Sequence, residues 1–440
     1  MPSVPLDPQD TRQRRWTIAA VIYVLVTIAC FATTSPARLA GHTPYNHFAL
    51  LADAWLHGRL DLGGPPPPYT GNNDFAVWQG KYFVSFPPLP AVLILPVVKL
   101  AGGAEHVRDG RFFACFTGLA PAFVYLFLDK LTRLSRSIRT ERENILLALL
   151  FAFGTVYWFS AVQGTVWFAA HVIGAALAAL YLFASTNASH PIIAGLALGL
   201  GFATRTPLGF AFPLFLWEAL RASRNNPSDH FSLADVDTRA LAKRLALFAL
   251  PAAAVLALLF WHNHARFGDP FEFGHHLLAI GWRTRIERWG LFSYHYLAKN
   301  LAIVLTSMPF VGGTNAAPFQ INAHGLALWI TTPIYAWALW PKRTSPYFWA
   351  LAATAAFVAL PSLLYQNSGW IQFGYRFSND FAVFLFAMIA TGKRRFGTSF
   401  WALALVGVVV NAFGALTFQR AGHERFYFVD PTQKIVHQPD

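Results

Sequence analysis

The sequence predicts an all-α polytopic membrane protein with roughly 11–13 transmembrane helices and an amphipathic first extracytoplasmic loop. Three observations predict it. Of 440 residues, 55% are hydrophobic and only 12% charged, against about 25% charged in a soluble domain. The mean hydropathy of +0.40 arises from apolar segments of roughly 14–20 residues, separated by short polar, Pro-rich or basic breaks. The net charge of +13 sits mostly in short loops beside those segments, as membrane topology requires. A soluble enzyme is excluded, and the distribution of charge argues against a nucleic-acid surface. Cys30 and Cys115 both fall inside apolar segments, which rules out a disulfide framework and a cysteine-based zinc site. There is no evident internal repeat and no Walker or GxGxxG motif to support nucleotide-driven transport. The chain, 1–440, reads as a single transmembrane domain.

The first apolar run, 16–33, follows Arg12, Arg14 and Arg15. It lacks a small-x-small cleavage site after Ala32 and reads as an uncleaved helix. A span needs about 20 residues to cross a core of about 30 Å. On that basis spans are expected at 16–34, 87–102, 112–128, 145–161, 168–185, 191–203, 207–220, 245–262, 323–340, 347–365, 380–392 and 398–418, with a weaker run at 297–311. The basic loops 129–143, 221–244, 341–346 and 393–395 and the N-terminus are expected to be cytoplasmic. Loops 35–86, 263–296 and 366–379 and the tail 419–440 then face the other side. The compact outside loops favour a bacterial inner membrane, with the C-terminus periplasmic. Counting crossings requires either 87–102 or 112–128 to be partial. The former carries Pro87, Pro88, Pro90 and Pro96 and is the one expected to dip or break. Likewise only one of 297–311 and 323–340 can cross.

The first outside loop, 35–86, is the candidate catalytic loop. Residues 45–60 read as an amphipathic helix lying on the membrane surface, with Phe48, Leu51, Ala52, Trp55 and Leu56 on one face and His47, Asp53, His57 and Arg59 leaning to the other. Residues 72–83 read as an extended turn set by Gly80, and Phe86-Pro87-Pro88-Leu89-Pro90 returns the chain to the bilayer.

The helix ending Leu56-His57-Gly58, the Gln79-Gly80-Lys81-Tyr82-Phe83 turn and the Pro87-Pro88-Leu89 entry into a helix resemble the first periplasmic or luminal loop of the GT-C membrane glycosyltransferases. The likeness is nearest to the branch of protein O-mannosyltransferases and lipid A aminoarabinose transferases. Residues 195–207, Arg266-Phe267-Gly268 and Gly374-Tyr375-Arg376-Phe377 agree in character. The resemblance covers most of the chain in hydropathy and is sharp over about 44–100. It implies transfer of a sugar from a polyprenyl-phosphate carrier to an extracytoplasmic glycan, lipid or protein acceptor, with a first-loop carboxylate as base. This chain departs from the family where an acidic residue usually begins the amphipathic helix: it has Tyr45-Asn46-His47.

The chemistry asks for a carboxylate near the acceptor and a cation at the departing phosphate. Asp74, seven residues before Lys81, is preferred as the base, so that both look into one cleft. Asp53, one turn from His57, is second and reads equally as a solvated charge, and Asp61 reads as a surface charge at a helix end. Arg205, between two short apolar runs, is a candidate for bidentate phosphate binding, with a snorkelling arginine as the alternative. Arg376 and Asp380 read either as an i, i+4 ion pair or as part of the phosphate site. Lys81, Arg205, Arg266 and Arg376 are the outer-side cations that topology does not explain. His171, one turn after Trp167, reads first as a hydrogen-bonded core histidine and second as a ligand; Trp167, Tyr82, Asn46, His47, Tyr375 and Asp380 complete the expected substrate pocket.

His262, His264, His275 and His276 leave a divalent metal open without a fixed ligand spacing. No other cofactor is indicated. Asn187-Ala188-Ser189 matches a glycosylation sequon in an expected cytoplasmic turn and is discounted. Aromatic residues at 282, 289, 292, 294, 296, 370, 373 and 375 fit an interfacial belt and equally a wall for sugar and prenyl chain. The alternative function is a lipid-linked-sugar flippase or other secondary transporter, suggested by the intramembrane arginine and broken helices. The expected partners are the polyprenyl-phosphate donor, its acceptor and membrane lipid, with no nucleic acid.

Overall fold

A computed structural model describes residues 8–72, 74–225, 235–314 and 317–428. Asn73 of the first-loop turn, the middle of the basic loop 221–244 and the end of the tail lie outside the described residues. The principal helices are α1 (Pro8–Thr33), α2 (His47–Leu56), α3 (Leu89–Ala101), α4 (Leu119–Arg133), α5 (Glu141–Phe153), α6 (Val166–Ser185), α7 (Pro191–Phe202), α8 (Phe212–Ala222), α9 (Thr238–Phe267), α10 (Leu297–Thr306), α11 (Pro346–Leu364), α12 (Ala382–Thr391) and α13 (Thr398–Thr417). Two strands, β1 (Phe75–Trp78) and β2 (Lys81–Val84), form an antiparallel hairpin in the first loop. Further along, β3 (Phe310–Thr314) pairs antiparallel with β4 (Ala317–Asn322), which β5 (Tyr427–Phe428) joins in parallel.

Among the described residues, six helical stretches are long and apolar enough to cross a bilayer: Thr11–Thr33, Asp109–Arg133, Val166–Ala188, Thr238–Phe267, Pro346–Leu364 and Thr398–Thr417. The protein is an all-α polytopic membrane protein, and the remaining expected spans are shorter or interrupted helices. The stretch 87–102 is partial, as its prolines require. It forms α3, whose 13 residues rise about 20 Å, short of the hydrocarbon core. Leu89 N–H binds the Ala203 carbonyl at one end of the bundle, and soon after α3 the buried Asp109 accepts from the Thr43 hydroxyl and N–H.

The segment 323–340 is not one helix, which corrects the sequence reading. It runs as Leu328–Thr331, a turn at Pro333–Tyr335, and Ala336–Leu339, because Pro333 withholds an N–H where a helix would need it. This irregular passage reaches the far end of the bundle, where the Trp340 carbonyl accepts from Arg394 Nε at 2.6 Å. The stretch 297–311 contributes only the ten-residue α10, pinned by Asn300 to the carbonyls of Leu363 and Tyr365. The first-loop helix also differs from expectation. It is covered by protein rather than laid open on the membrane surface, since α3 has no polar face and packs on it; Phe48 meets Phe86 and Phe113 edge to face.

The basic loops gather at one end. Arg136 and Arg221 both pair with the fully buried Glu218 at 2.8 and 3.0 Å, Arg139 donates to the Arg394 carbonyl, and Lys342 N–H binds the Gly392 carbonyl. Arg14 of α1 pairs with Glu141 of α5. Helix starts at this end are capped by Thr140, with a reciprocal bond from Glu143, by Asp237 and by Ser345.

Close helix approach depends on small residues, as lipid offers no hydrophobic drive between apolar helices. On α7, Gly195 and Gly199 face α9. A Cβ on Gly195 would lie 2.0 Å from the Phe248 carbonyl oxygen, and one on Gly199 would lie 2.9 Å from Val255 Cβ. Gly195→Val should therefore force α7 from α9 and lower stability by about 1–3 kcal/mol. Leu196→Ala, at a 39% exposed neighbour, should change it little; thermal unfolding in detergent compares the two.

Candidate active site

The hairpin creates the first part of the site. Gln79 and Gly80 both have positive φ, 48° and 73°, the geometry of a two-residue turn whose twist suits an antiparallel pair. Its register sets Trp78 opposite Lys81 and Phe75 opposite Val84. Asp74 and Ser85 thus sit side by side at the open base, where Ser85 Oγ donates to the Asp74 carbonyl at 3.2 Å. Lys81 lies at the tip, about 13 Å along the strand from Asp74. The two do not share a cleft, contrary to the sequence reading: Lys81 is exposed and its Nζ lies 3.4 Å from Asp61.

Asp74 is half-buried and accepts a hydrogen bond from Trp167 Nε1 at 2.7 Å. Burial raises its carboxyl pKa above the ordinary value, while the Trp167 bond and the Arg376 charge oppose that rise. The loop 263–296 completes the hairpin's environment. Val77 N–H binds the Leu277 carbonyl and Ala279 N–H binds the Phe75 carbonyl, so residues 277–279 add a third extended segment. That junction brings Glu272, His275 and His276 to Asp74.

Asp380 anchors the cationic side. It is buried, accepts from Arg205 Nε at 3.1 Å and Nη2 at 2.8 Å, and lies 3.1 Å from His171 Nδ1. The stem of Arg205 rests on α6 where Gly174 leaves room; a Cβ there would lie 2.9 Å from Arg205 Cγ. Arg376 donates to the Trp370 carbonyl at 3.3 Å, while its Nε has no hydrogen-bond partner among the described residues. The Phe377 ring lies near both guanidiniums, 5.1 Å from that of Arg205 and 5.5 Å from that of Arg376. The alternative of an Arg376–Asp380 pair is not formed, because Asp380 is committed to Arg205 and His171.

These groups open on a cavity of about 1000 Å³, lined by Asp74, Ser85, Trp167, Arg205, Glu272 and Arg376 among its polar residues. Phe202, Phe210 and Phe212 form one apolar flank, and Phe357 and Leu360 of α11 another. Burial pushes Glu272 up, but bonds from the His276 ring and the Gly274 N–H outweigh it and hold the carboxyl below its ordinary value. Burial lowers His275 to about 4, leaving it neutral at pH 7. Among the described residues no cluster of three or more His, Cys, Asp or Glu side chains is placed to hold a metal ion.

Of the residues expected from sequence, Asp74, Trp167, Arg205 and Arg376 line the cavity, and His171 and Asp380 stand directly behind Arg205. The others are placed elsewhere. Asp53 faces His57 at 3.7 Å, off the cavity. Arg266 is a tie rather than a free cation, donating to the Val84 carbonyl at 2.8 Å and Asn263 Oδ1 at 2.7 Å. His47 stacks on Phe75 at 4.3 Å, and Asn46 accepts from the Tyr69 hydroxyl at 3.3 Å. Tyr375 is buried behind Phe377, and Tyr82 lies in β2 opposite Val77. Sequence reasoning missed Ser85, Glu272 and Tyr365 of the cavity wall. A Glu272-x-x-x-His276 spacing was the available signal for Glu272; strand register alone brings in Ser85.

The fold and the cavity define an all-α polytopic membrane protein with a large polar and aromatic cavity. No family model matches the chain, and no curated protein matches it. Among solved structures, the fold is similar to the apo oligosaccharyltransferase of Archaeoglobus fulgidus, with a TM-score of 0.53 and 14% identity, over 91% of this chain and 56% of that one. Two further structures of that enzyme also match. One is tethered to an acceptor peptide containing the NVT sequon (TM-score 0.44, 15% identity, 90% and 55% covered). The other is in complex with an inhibitory peptide and a dolichol-phosphate (TM-score 0.46, 14% identity, 96% and 57% covered). The chain spans a little over half the length of these neighbours, and the likeness establishes a shared fold.

Two substitutions separate the roles of Asp380 and Asp74. Asp380→Ala leaves Arg205 without its buried counter-charge and should destabilise by about 3 kcal/mol. Asp74→Asn keeps an oxygen for Trp167 and removes a charge. Because the folded pKa of Asp74 is raised, its ionised form costs stability at neutral pH, and that cost fades as pH falls through the pKa. Asp74→Asn should therefore match or exceed the parent in thermal unfolding at pH 7.

Proposed function

We propose that the protein is an integral-membrane glycosyltransferase that transfers a sugar from a polyprenyl-phosphate-linked donor to an extracytoplasmic acceptor. The observation that carries this reading is a cavity in which a half-buried carboxylate, Asp74, shares the wall with two guanidiniums, Arg205 and Arg376, beside a flank of aromatic side chains. The shared fold with an oligosaccharyltransferase is consistent with it. The aromatic flank suits an isoprenoid chain: Phe210, Phe212 and Phe357 are 41–48% exposed and give a lipid tail an apolar route to the cavity. The gathering of Arg and Lys at the opposite end supports a cytoplasmic basic face and an extracytoplasmic cavity, in a bacterial inner membrane.

The chemistry follows from the donor's bond. The acceptor's hydroxyl or amide attacks the anomeric carbon, the carbon–oxygen bond to phosphate breaks, and the acceptor's proton passes to Asp74. Polyprenyl phosphate departs with the electron pair, and Arg205 and Arg376 meet the charge that develops on it. A carboxylate with a raised pKa is a stronger base than an exposed one, which favours Asp74 over Asp53 for this role. Asp380 and His171 hold the Arg205 guanidinium in place.

Transfer from a polyprenyl-phosphate sugar by purified protein tests the reading. Asp74→Asn should fold yet lose about 10²–10⁴-fold in rate, Arg205→Gln and Arg376→Gln should also lose transfer, and Asp53→Asn should retain it. Full activity in Asp74→Asn would remove Asp74 as the base. Donor translocation in proteoliposomes without acceptor would instead favour a flippase.

The acid limb of the rate profile should lie above the ordinary carboxylate value of about 4, because the active form is ionised Asp74. Trp167→Phe removes a donor to that carboxylate and should move the limb to higher pH. A profile unchanged by Trp167→Phe would count against Asp74 as the titrating group.

A further inference from the structure

At the end of the bundle opposite the aromatic cavity, a groove of about 450 Å³ opens between α1, α4, α6 and the start of α7. Arg12, Arg15 and Arg133 stand on its rim and Trp16, Phe123 and Phe183 in its floor. None of the described residues lining it is acidic. Asp129, beside the rim, serves two of the three guanidiniums at once, accepting from Arg133 Nε at 2.8 Å and lying 3.5 Å from Arg15 Nε. Arg12 is exposed. One carboxylate against three guanidiniums leaves a surplus of positive charge above an apolar floor.

The tendency of cations to collect on one side of a membrane explains why arginines occur at this end. It does not explain why residues from α1 and α4, more than a hundred positions apart, surround one hollow with aromatic rings at its base. Trp16 is 50% exposed, and only 22% of the apolar window of α1 is covered by protein, so the groove is open to the lipid phase along α1. A ligand that fits must carry a phosphate on an apolar chain and arrive sideways from the bilayer.

We propose that this groove binds one anionic glycerophospholipid, its phosphate held by Arg12, Arg15 and Arg133 and its acyl chain laid over Trp16 and Phe183. Guanidiniums pair with phosphate oxygens through two parallel hydrogen bonds, and the lipid supplies the negative charge that Asp129 alone does not. The site is independent of the sugar-transfer reading, since it lies at the other end of the bundle and its ligand carries no sugar.

Native mass spectrometry of the detergent-solubilised protein, titrated with phosphatidylglycerol or phosphatidylcholine, tests the proposal. One phosphatidylglycerol should be retained in preference to phosphatidylcholine, and each of Arg12→Gln and Arg133→Gln should weaken retention by about fivefold. Arg12 is exposed, so Arg12→Gln is expected to fold and reads out even if Arg133→Gln, which loses its bond to Asp129, does not. Equal retention of the two lipids, or undiminished phosphatidylglycerol in Arg12→Gln, would overturn the proposal. Loss of phosphatidylglycerol in Arg205→Gln with none in Arg12→Gln would overturn it too, by assigning the lipid to the aromatic cavity.

Discussion

Asp380 is buried with both ends of a guanidinium fork on its oxygens and an imidazole nitrogen beside them. An isolated carboxylate in that position would be costly to hold ionised, and an isolated arginine at membrane depth equally so. Each makes the other tolerable, and the pairing fixes geometry as well as charge. Asp380 precedes α12, Arg205 follows α7 and His171 lies in α6, so three helices are registered against one another by a single carboxylate. The rest of the cavity is built outward from this point: Phe377 reaches both arginines, and Arg376 faces Asp74 across the opening.

The second organising constraint is backbone pairing. A hairpin alone would leave the outer edge of β1 unpaired, and a lone two-stranded unit is marginal in water. Residues 277–279 take up that edge, and Arg266 ties the end of α9 to the Val84 carbonyl. The loops 35–86 and 263–296 are thereby joined into one roof over the cavity. Asp74 owes its cover to that roof and to Trp167, whose indole N–H it accepts, and that setting is what separates it from Asp53, which faces His57 off the cavity.

Legibility in the sequence follows the range of the forces involved. The partial nature of 87–102 was readable, because four prolines act locally on the chain that contains them. The break at Pro333 was present in the letters yet hidden by a window of apolar residues. Lys81 was assigned to the wrong neighbourhood because seven positions in sequence say nothing of hairpin register; pairing Trp78 with Lys81 sends the ammonium to the tip and Asp74 to the base. Arg266 looked like a free outer cation because the carbonyl that occupies it is 182 positions away.

By itself the sequence determined the solvent: hydropathy and charge are properties of each residue, and they demand a bilayer and a basic end. It also singled out Asp74, Arg205 and Arg376, since a charge beside apolar segments is conspicuous wherever the chain goes. Only the tertiary structure decided which of those charges meet. Ion pairs and hydrogen bonds act over a few ångströms between residues as much as 209 positions apart, as in His171 and Asp380, and such contacts are set by helix packing and strand register, which no local pattern in the chain encodes.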